Sequence, residues 1–257
     1  MNNILIDKIK KNINKKYGLF FPEEKNYLLV SRIKKSFIKS NFFSFEKYID
    51  YIIFSENYDL IINDITTNFT MFYREEHHFS YLKEFIERQS NKKIKIWSAG
   101  CSTGEEVYSI GMSINELCMV KNISYSILGS DINEDVIQFA NENRYEYEKI
   151  KKIYNIYKNY IKIENNYAYF SNEITKNIKF KKINLKFGWN LDCKIDVIFC
   201  RNVAIYFDFF SKDQLWSRLS QSLEVGGELY IGHSERIHNP SQYGLKVFGI
   251  NAYRKVS

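Results

Sequence analysis

The residues best suited to chemistry lie between positions 94 and 131. An apolar run, Ile94 to Ala99, leads into Gly100-Cys101-Ser102-Thr103-Gly104-Glu105-Glu106 and then into a helix-period pattern. A second apolar run, Tyr125 to Gly129, ends at Ser130-Asp131. Strand, glycine turn and helix, followed by an acidic residue at the end of the next strand, is the arrangement with which a Rossmann-like sheet holds a nucleotide-type ligand. Glycine gives backbone access, the helix N-terminus offers free N–H groups, and the carboxylate can accept hydrogen bonds from ribose. The G-x-x-x-G spacing is neither the G-x-G-x-x-G of dinucleotide sites nor a P-loop, so the loop alone is equally compatible with a tight strand-to-helix turn.

Other side chains with catalytic potential are sparse. The cysteines at 101, 118, 193 and 200 form no C-x-x-C pair and sit in apolar or glycine-rich segments, so buried free thiols are expected, with neither a disulfide frame nor a zinc cage. No metal is expected. His77 and His78 are consecutive and project about 100° apart on a helix, so at least one should be structural. His233, near a strand end, is expected to pack under the site.

The elements that must position these residues fall into two groups. Residues 3 to 65 carry apolar positions at helical spacing, such as Leu28, Val30, Ile33 and Phe37, then Phe45, Tyr48, Ile49 and Ile52. Phe21-Pro22-Glu23-Glu24 reads as a helix start. From residue 94 onward strands alternate with helices, predicting an α/β fold with a mostly parallel sheet. Later strands are expected at Asn177–Leu185, Ile195–Cys200 and Gly227–His233, with a helix over Ser211–Leu223 and an antiparallel pair near Leu245–Lys255. Residues 144 to 175 read as an insertion, a basic tyrosine-rich helix and then a small hairpin joined by Glu164-Asn165-Asn166. The composition, 45% hydrophobic and 17% aromatic, is ample for a core. No run of about 18 apolar residues or signal-peptide block is present, which predicts a cytoplasmic protein with no direct membrane insertion. The net charge of +7 suggests an acidic partner without saying which.

Two more strings add to the glycine loop: Thr66-Thr67-Asn68-Phe69-Thr70-Met71-Phe72-Tyr73-Arg74-Glu75-Glu76-His77-His78-Phe79 and Ile198-Phe199-Cys200-Arg201-Asn202-Val203-Ala204-Ile205-Tyr206-Phe207-Asp208. With Trp97 to Glu106 and Gly232-His233-Ser234-Glu235, they occur in an order that resembles the bacterial chemotaxis receptor methyltransferases (CheR-type protein-glutamate O-methyltransferases) over nearly the whole chain. The resemblance implies an S-adenosylmethionine-dependent, Rossmann-like methyltransferase sheet with a small antiparallel β-subdomain, preceded by an all-α N-terminal domain. The expected bounds are 1–67 for the helical receptor-docking domain and 68–257 for the methyltransferase domain, with the β-subdomain inserted at about 156–175. The implied cofactor contacts are Asn68, Thr70, Arg74, Glu105, Asp131, Asn184, Leu185, Arg201 and Asn202, and the product is S-adenosylhomocysteine. Asp131 suits ribose hydroxyls and Asn184 an adenine edge, although polar residues at such positions also serve as turn formers and caps.

The same resemblance places Arg74 and Tyr206 nearest the transferred methyl. A glutamate with pKa about 4.3 is already ionised at neutral pH, so attack on a sulfonium methyl needs no general base, and alignment supplies most of the catalysis. Arg74 would steer the carboxylate; Tyr206 would donate a hydrogen bond or shape the methyl channel. Arg32, Lys35 and Lys39, at helical spacing of 3 and 4, form a cationic stripe. The resemblance implies that this stripe docks on the acidic cytoplasmic methylation helices of chemoreceptors, with recruitment to membrane receptor arrays. Some members also grip a receptor C-terminal tether with the β-subdomain, and the short hairpin connection here points to a tether-independent enzyme. A monomer is expected. Val107, and Gly188-Trp189, depart from the family pattern without removing any of the implied cofactor contacts. The competing readings are a non-catalytic S-adenosylmethionine-sensing regulator and an RNA methyltransferase. Base amino-methylation motifs need Pro-Pro, and Pro22 and Pro240 are the chain's prolines, which excludes that chemistry; ribose or ring-carbon methylation is not excluded by this but has no other support, and no nucleic-acid partner is expected.

Overall fold

The computed structural model describes residues 3–90 and 93–257. The N-terminal part consists of α1 (Asn3–Tyr17), α2 (Asn26–Lys39), α3 (Phe45–Ser55) and α4 (Asp59–Ile65). Each helix buries one apolar stripe: Ile6, Ile9, Ile13 and Tyr17; Leu29 and Ile33; Tyr48, Ile49, Ile52 and Ile53; Ile61, Ile62 and Ile65. Ser44 caps α3 by accepting from the Lys47 N–H. The helix start expected at 21–24 is a short 3-10 turn, Glu23–Lys25, running directly into α2.

The rest of the chain contains α5 (His77–Glu87), β1 (Lys93–Ala99), α6 (Glu105–Val120), β2 (Ser124–Asp131), α7 (Glu134–Glu142), β3 (Tyr145–Glu146), α8 (Tyr147–Tyr157), β4 (Ile161–Glu164), β5 (Tyr167–Phe170) and α9 (Asn172–Thr175). It continues with β6 (Ile178–Lys182), β7 (Ile195–Cys200), α10 (Phe209–Ser222), β8 (Leu223–Ile231), β9 (Leu245–Gly249) and β10 (Ala252–Lys255). Among the described residues the main sheet has seven strands in the order β6-β2-β1-β7-β8-β10-β9. The first five are parallel, and β10 and β9 are antiparallel to their neighbours. The period-2 alternation of the strands feeds two cores. Ile94, Ile96, Val197 and Phe199 pack beneath α5 and α6, whereas Trp97, Ile198, Cys200 and Leu229 pack against Leu215, Trp216 and Leu219 of α10.

The strand expected to reach Leu185 stops at Lys182, because Asn184 turns its amide onto the Lys16 carbonyl at the end of α1 (2.8 Å). The strand expected at 227–233 runs instead from Leu223 to Ile231. The helix expected from 211 begins at Phe209, where Asp208 accepts from the Ser211 N–H (2.7 Å). The small sheet has the order β3-β5-β4. Glu164 belongs to β4, so the hairpin connection is Asn165-Asn166, both at positive φ (48° and 63°), which asparagine tolerates in tight two-residue turns. No helix is long and apolar enough to cross a membrane among the described residues.

The chain leaves β1 toward β2 and β6 and later returns on the other side at β7. The order therefore reverses between β1 and β7, and a crevice is expected outside their carboxyl ends. The helical unit closes over that point. Asn133 donates to Asn63 O and Thr66 Oγ1 (both 3.0 Å), Asn14 to Asp208 (2.7 Å), and the Phe20 N–H to the Tyr206 carbonyl (2.7 Å).

Candidate active site

A cavity of about 480 Å³ lies at this switch point, within the size range of small-molecule sites. Its floor is the turn after β1, where Gly100 (φ 85°), Ser102 (φ 50°) and Gly104 (φ 93°) are all left-handed. The reason for glycine is packing within the chain more than ligand approach. A Cβ on Gly100 would stand 2.3 Å from Val203 Cγ2, and one on Gly104 would stand 2.8 Å from the Tyr145 hydroxyl. Asp131, at the end of β2, ties this turn down: Oδ2 accepts from the Ser102 N–H (2.9 Å) and Oδ1 from the Asn133 N–H (3.0 Å). Burial raises its pKa against the pull of those N–H groups.

Of the residues singled out from the sequence, Asn68, Thr70, Arg74, Asp131, Asn184, Leu185, Arg201, Asn202 and Tyr206 line this one cavity. Glu105 does not. Its side chain is 1% exposed and turned away, accepting from Thr103 Oγ1 (2.6 Å) and pairing with Lys149 of α8 (3.1 Å). Glu106 lines the cavity in its place, because adjacent helix residues point about 100° apart and only one of them can face the crevice. Asn184 lines the cavity and is held in place, its amide donating to the Lys16 carbonyl and its Oδ1 accepting from the Lys186 N–H (2.9 Å), which leaves one N–H and one lone pair for the adenine edge expected to pair with it.

Beneath the crevice runs a charged network. Arg201 is buried between Glu75 (3.5 Å) and Glu106 (3.2 Å) and donates to the Arg74 carbonyl. Burial raises the Glu106 pKa, and Arg201 opposes it. Burial also pushes Glu75 upward, but the His233 hydrogen bond and Arg201 outweigh it and leave Glu75 below the ordinary glutamate value. Arg74 is partly exposed, stacks its guanidinium over Phe69 (5.7 Å) and donates to the Phe69 carbonyl (3.2 Å). Asn202, at φ 59°, carries a buried Oδ1 with no partner.

His233 does not pack under the site: its side chain is 65% exposed, with Nδ1 2.9 Å from Glu75. His78 is the structural histidine, fully buried and stacked on Tyr230 at 5.2 Å, and burial drives its pKa down to about 3. Glu75, His77 and His78 bring ligand-type atoms within 4.8 Å of one another, but Arg201 and Arg74 (3.9 Å) already surround Glu75 with positive charge. Cys101, Cys118 and Cys200 are buried as expected, while Cys193 is exposed.

The cationic stripe is engaged within the chain. Arg32 lines the cavity rim and donates to Ile65 O (2.5 Å) and Thr67 Oγ1 (2.9 Å). Lys39 and Lys35 both face Asp64, at 2.6 and 3.9 Å. Sequence reasoning missed the apolar wall from the N-terminal unit, Tyr17, Leu19, Phe20 and Phe21. Nothing in the local pattern distinguishes these residues from ordinary helix-packing positions.

An apolar-walled crevice with a carboxylate at the end of β2 and an arginine in its lining has the make-up of a nucleotide-type cofactor site on a Rossmann-like sheet. The chain matches the CheR methyltransferase SAM-binding domain over residues 68–251 and the CheR all-alpha domain over residues 5–66, and it belongs to the CheR methyltransferase family. It is 31% identical over 252 residues to a probable chemotaxis protein methyltransferase of Rhizobium etli, covering 92% of this chain and 94% of that one. It is 34% identical over 250 residues to the chemotaxis protein methyltransferase of Borreliella burgdorferi, covering 90% and 88%. A magnesium protoporphyrin IX methyltransferase from Synechocystis with bound SAM overlaps 70% of this chain and 76% of its own at 13% identity and a TM-score of 0.39, too distant to add to the argument.

The protein is thus an S-adenosylmethionine-dependent methyltransferase. The residues present fit the cofactor: the unpartnered Asn202 Oδ1, the acceptor pair on Asp131 and the apolar wall suit a ligand with a ribose, a flat base and charged ends.

Proposed function

We propose that this methyltransferase modifies glutamate side-chain carboxylates on the cytoplasmic methylation helices of chemoreceptors, setting receptor adaptation. The observation that carries the reading is that Arg74, a partly exposed cation, lines the same cavity as Tyr206, Asp131 and Asn202. S-Adenosylmethionine, when bound, supplies a methyl group on a positively charged sulfonium. Arg74 orients the incoming carboxylate, which is ionised at neutral pH and needs no base. Tyr206 shapes the approach, and Phe20, Phe21 and Phe69 supply an apolar wall beside it. The names of the relatives support a chemotaxis substrate.

A docking unit spans residues 1–67 and a catalytic unit 68–257, the latter carrying a β-subdomain that starts earlier than the expected 156, since β3 at Tyr145–Glu146 pairs with β5. The α2 face that bears Lys35 and Lys39 meets an acidic receptor helix. The enzyme is monomeric, cytoplasmic, recruited to receptor arrays and independent of a receptor tether.

The test is transfer of radiolabelled methyl from S-adenosylmethionine to membranes containing chemoreceptors, scored as base-labile label released as methanol. Labile label on the receptor that disappears with Arg74→Ala is expected. Tight S-adenosylhomocysteine binding without any labelling of receptors bearing free glutamates would overturn the proposal in favour of a cofactor sensor.

A further inference from the structure

We propose that Glu235 is a positioning residue of the methyl-transfer site, its carboxylate holding the 202–206 loop, and with it Asn202 and Tyr206, against the end of β8. The inference rests on the roles proposed above for those two residues.

Glu235 lies outside the cavity and is 6% exposed. Among the described residues no cation pairs with it; its partners are peptide N–H groups. Oε2 accepts from Gly232 (2.6 Å) and Asn202 (2.9 Å), and Oε1 from Val203 (2.9 Å) and Ile205 (3.3 Å). Four donors from two chain segments therefore converge on one buried carboxylate; they counter part of its desolvation without a counter-ion, and burial still holds its pKa above the ordinary glutamate value.

The loop it gathers would not lie there unaided. Asn202 is left-handed, and its N–H stands so close to β8 that a Cβ on Gly232 would be 2.6 Å from the Asn202 nitrogen. Val203, held by Oε1, is the side chain that fills the space over Gly100. From the opposite side the Phe20 N–H donates to the Tyr206 carbonyl and Leu19 bridges Phe207. Tyr206 is thus held on one side by Glu235, through the N–H groups of Val203 and Ile205, and on the other by the segment after α1. A water or a neutral side chain could satisfy one or two of these donors; two oxygens with about four lone-pair sites satisfy all of them at once.

The deciding variant is Glu235→Gln, which keeps the shape but turns an NH₂ group toward one pair of N–H donors. With receptor methylation as the assay at saturating cofactor, kcat is expected to fall about 10- to 100-fold, as for a misplacement of about 1 Å. Tyr206→Ala should cause a loss of its own. The double variant should be no slower than the worse single one, because both act on one unit. Losses that multiply, a Glu235→Gln enzyme with wild-type kcat, or a Tyr206→Ala loss under about threefold would each overturn the proposal. Melting curves check the fold; if Glu235→Gln does not fold, the shorter Glu235→Asp, which cannot reach both donor pairs, goes through the same cycle. A wild-type protein that binds S-adenosylhomocysteine but methylates no receptor would overturn the proposed function and this inference together, whereas an active wild type with an unimpaired Glu235→Gln variant would overturn this inference alone.

Discussion

Replacing Asp131 with asparagine, nearly the same in shape, should still weaken cofactor binding strongly, for a reason specific to its geometry. Each carboxylate oxygen already accepts one peptide N–H, from Ser102 at 2.9 Å and Asn133 at 3.0 Å, which leaves a lone pair on each for the ribose hydroxyls. Asparagine has one oxygen. Its NH₂ must oppose either the Ser102 or the Asn133 N–H, so the turn after β1 or the entry to α7 loses its anchor. One charge-assisted hydrogen bond, at about 1.5–3 kcal/mol, is lost and the other becomes an uncharged one weaker by about 1 kcal/mol, so about 2.5–4 kcal/mol is lost toward the ligand. The dissociation constant for S-adenosylhomocysteine should therefore rise roughly 10²- to 10³-fold. The orphaned N–H should cost about 1–3 kcal/mol of stability.

Titration calorimetry with S-adenosylhomocysteine, paired with thermal melting, reads both quantities. Because burial raises the Asp131 pKa, affinity in the wild type should weaken on acidification at a higher pH than an ordinary aspartate would dictate, as the proton converts an acceptor into a donor. That dependence should vanish in the asparagine variant. Asparagine binding within about threefold of wild type would refute the assignment of Asp131 to the ribose.

Three further outcomes are expected. Glu106→Gln should weaken S-adenosylhomocysteine binding by disturbing Arg201, whereas Glu105→Gln should lower the melting temperature while leaving binding within about threefold; equal effects on binding would contradict the separation of the two carboxylates. His78, with a pKa of about 3 when folded and 6.5 when free, takes up its proton only on unfolding. Its contribution to stability is therefore complete above pH 6.5 and is lost as pH falls toward 3, at up to about 1.4 kcal/mol per pH unit. His78→Phe, which keeps the stacking on Tyr230, should flatten the acid limb of a melting-temperature profile, and an unchanged limb would count against this. Reversing charge at Lys35 should slow receptor methylation without altering cofactor affinity. Arg32→Glu should impair folding as well, because Arg32 also holds the Ile65 carbonyl and Thr67, and the two variants can be compared by methylation rate and calorimetry.

Local patterning made much of this protein legible. Apolar residues every three or four positions in 3–65 follow from helix geometry and determine which face of each helix is buried, and the nearly continuous apolar run of β7 marks a central parallel strand buried on both faces. The end of β2 and the turn at 100–104 place Asp131 and the glycines in one crevice because a parallel sheet directs successive strand ends to the same edge. Short-range geometry also explains the Asn165-Asn166 turn.

What only the tertiary structure decided was which member of a local pair faces the site and which distant group claims it. Glu105 and Glu106 are equivalent in sequence until α8 brings Lys149 to one and β7 brings Arg201 to the other. Asn184 is an open hydrogen-bonding group until the end of α1 takes its amide, and Arg32 belongs to a surface stripe until the residues after α4 fold onto it. Glu235 shows no role until β8 carries it beneath a loop some thirty positions earlier. Side-chain periodicity encodes burial within one element, but pairing of polar groups depends on contacts between elements far apart in the chain, and those exist only once the sheet order and the helical cover are set.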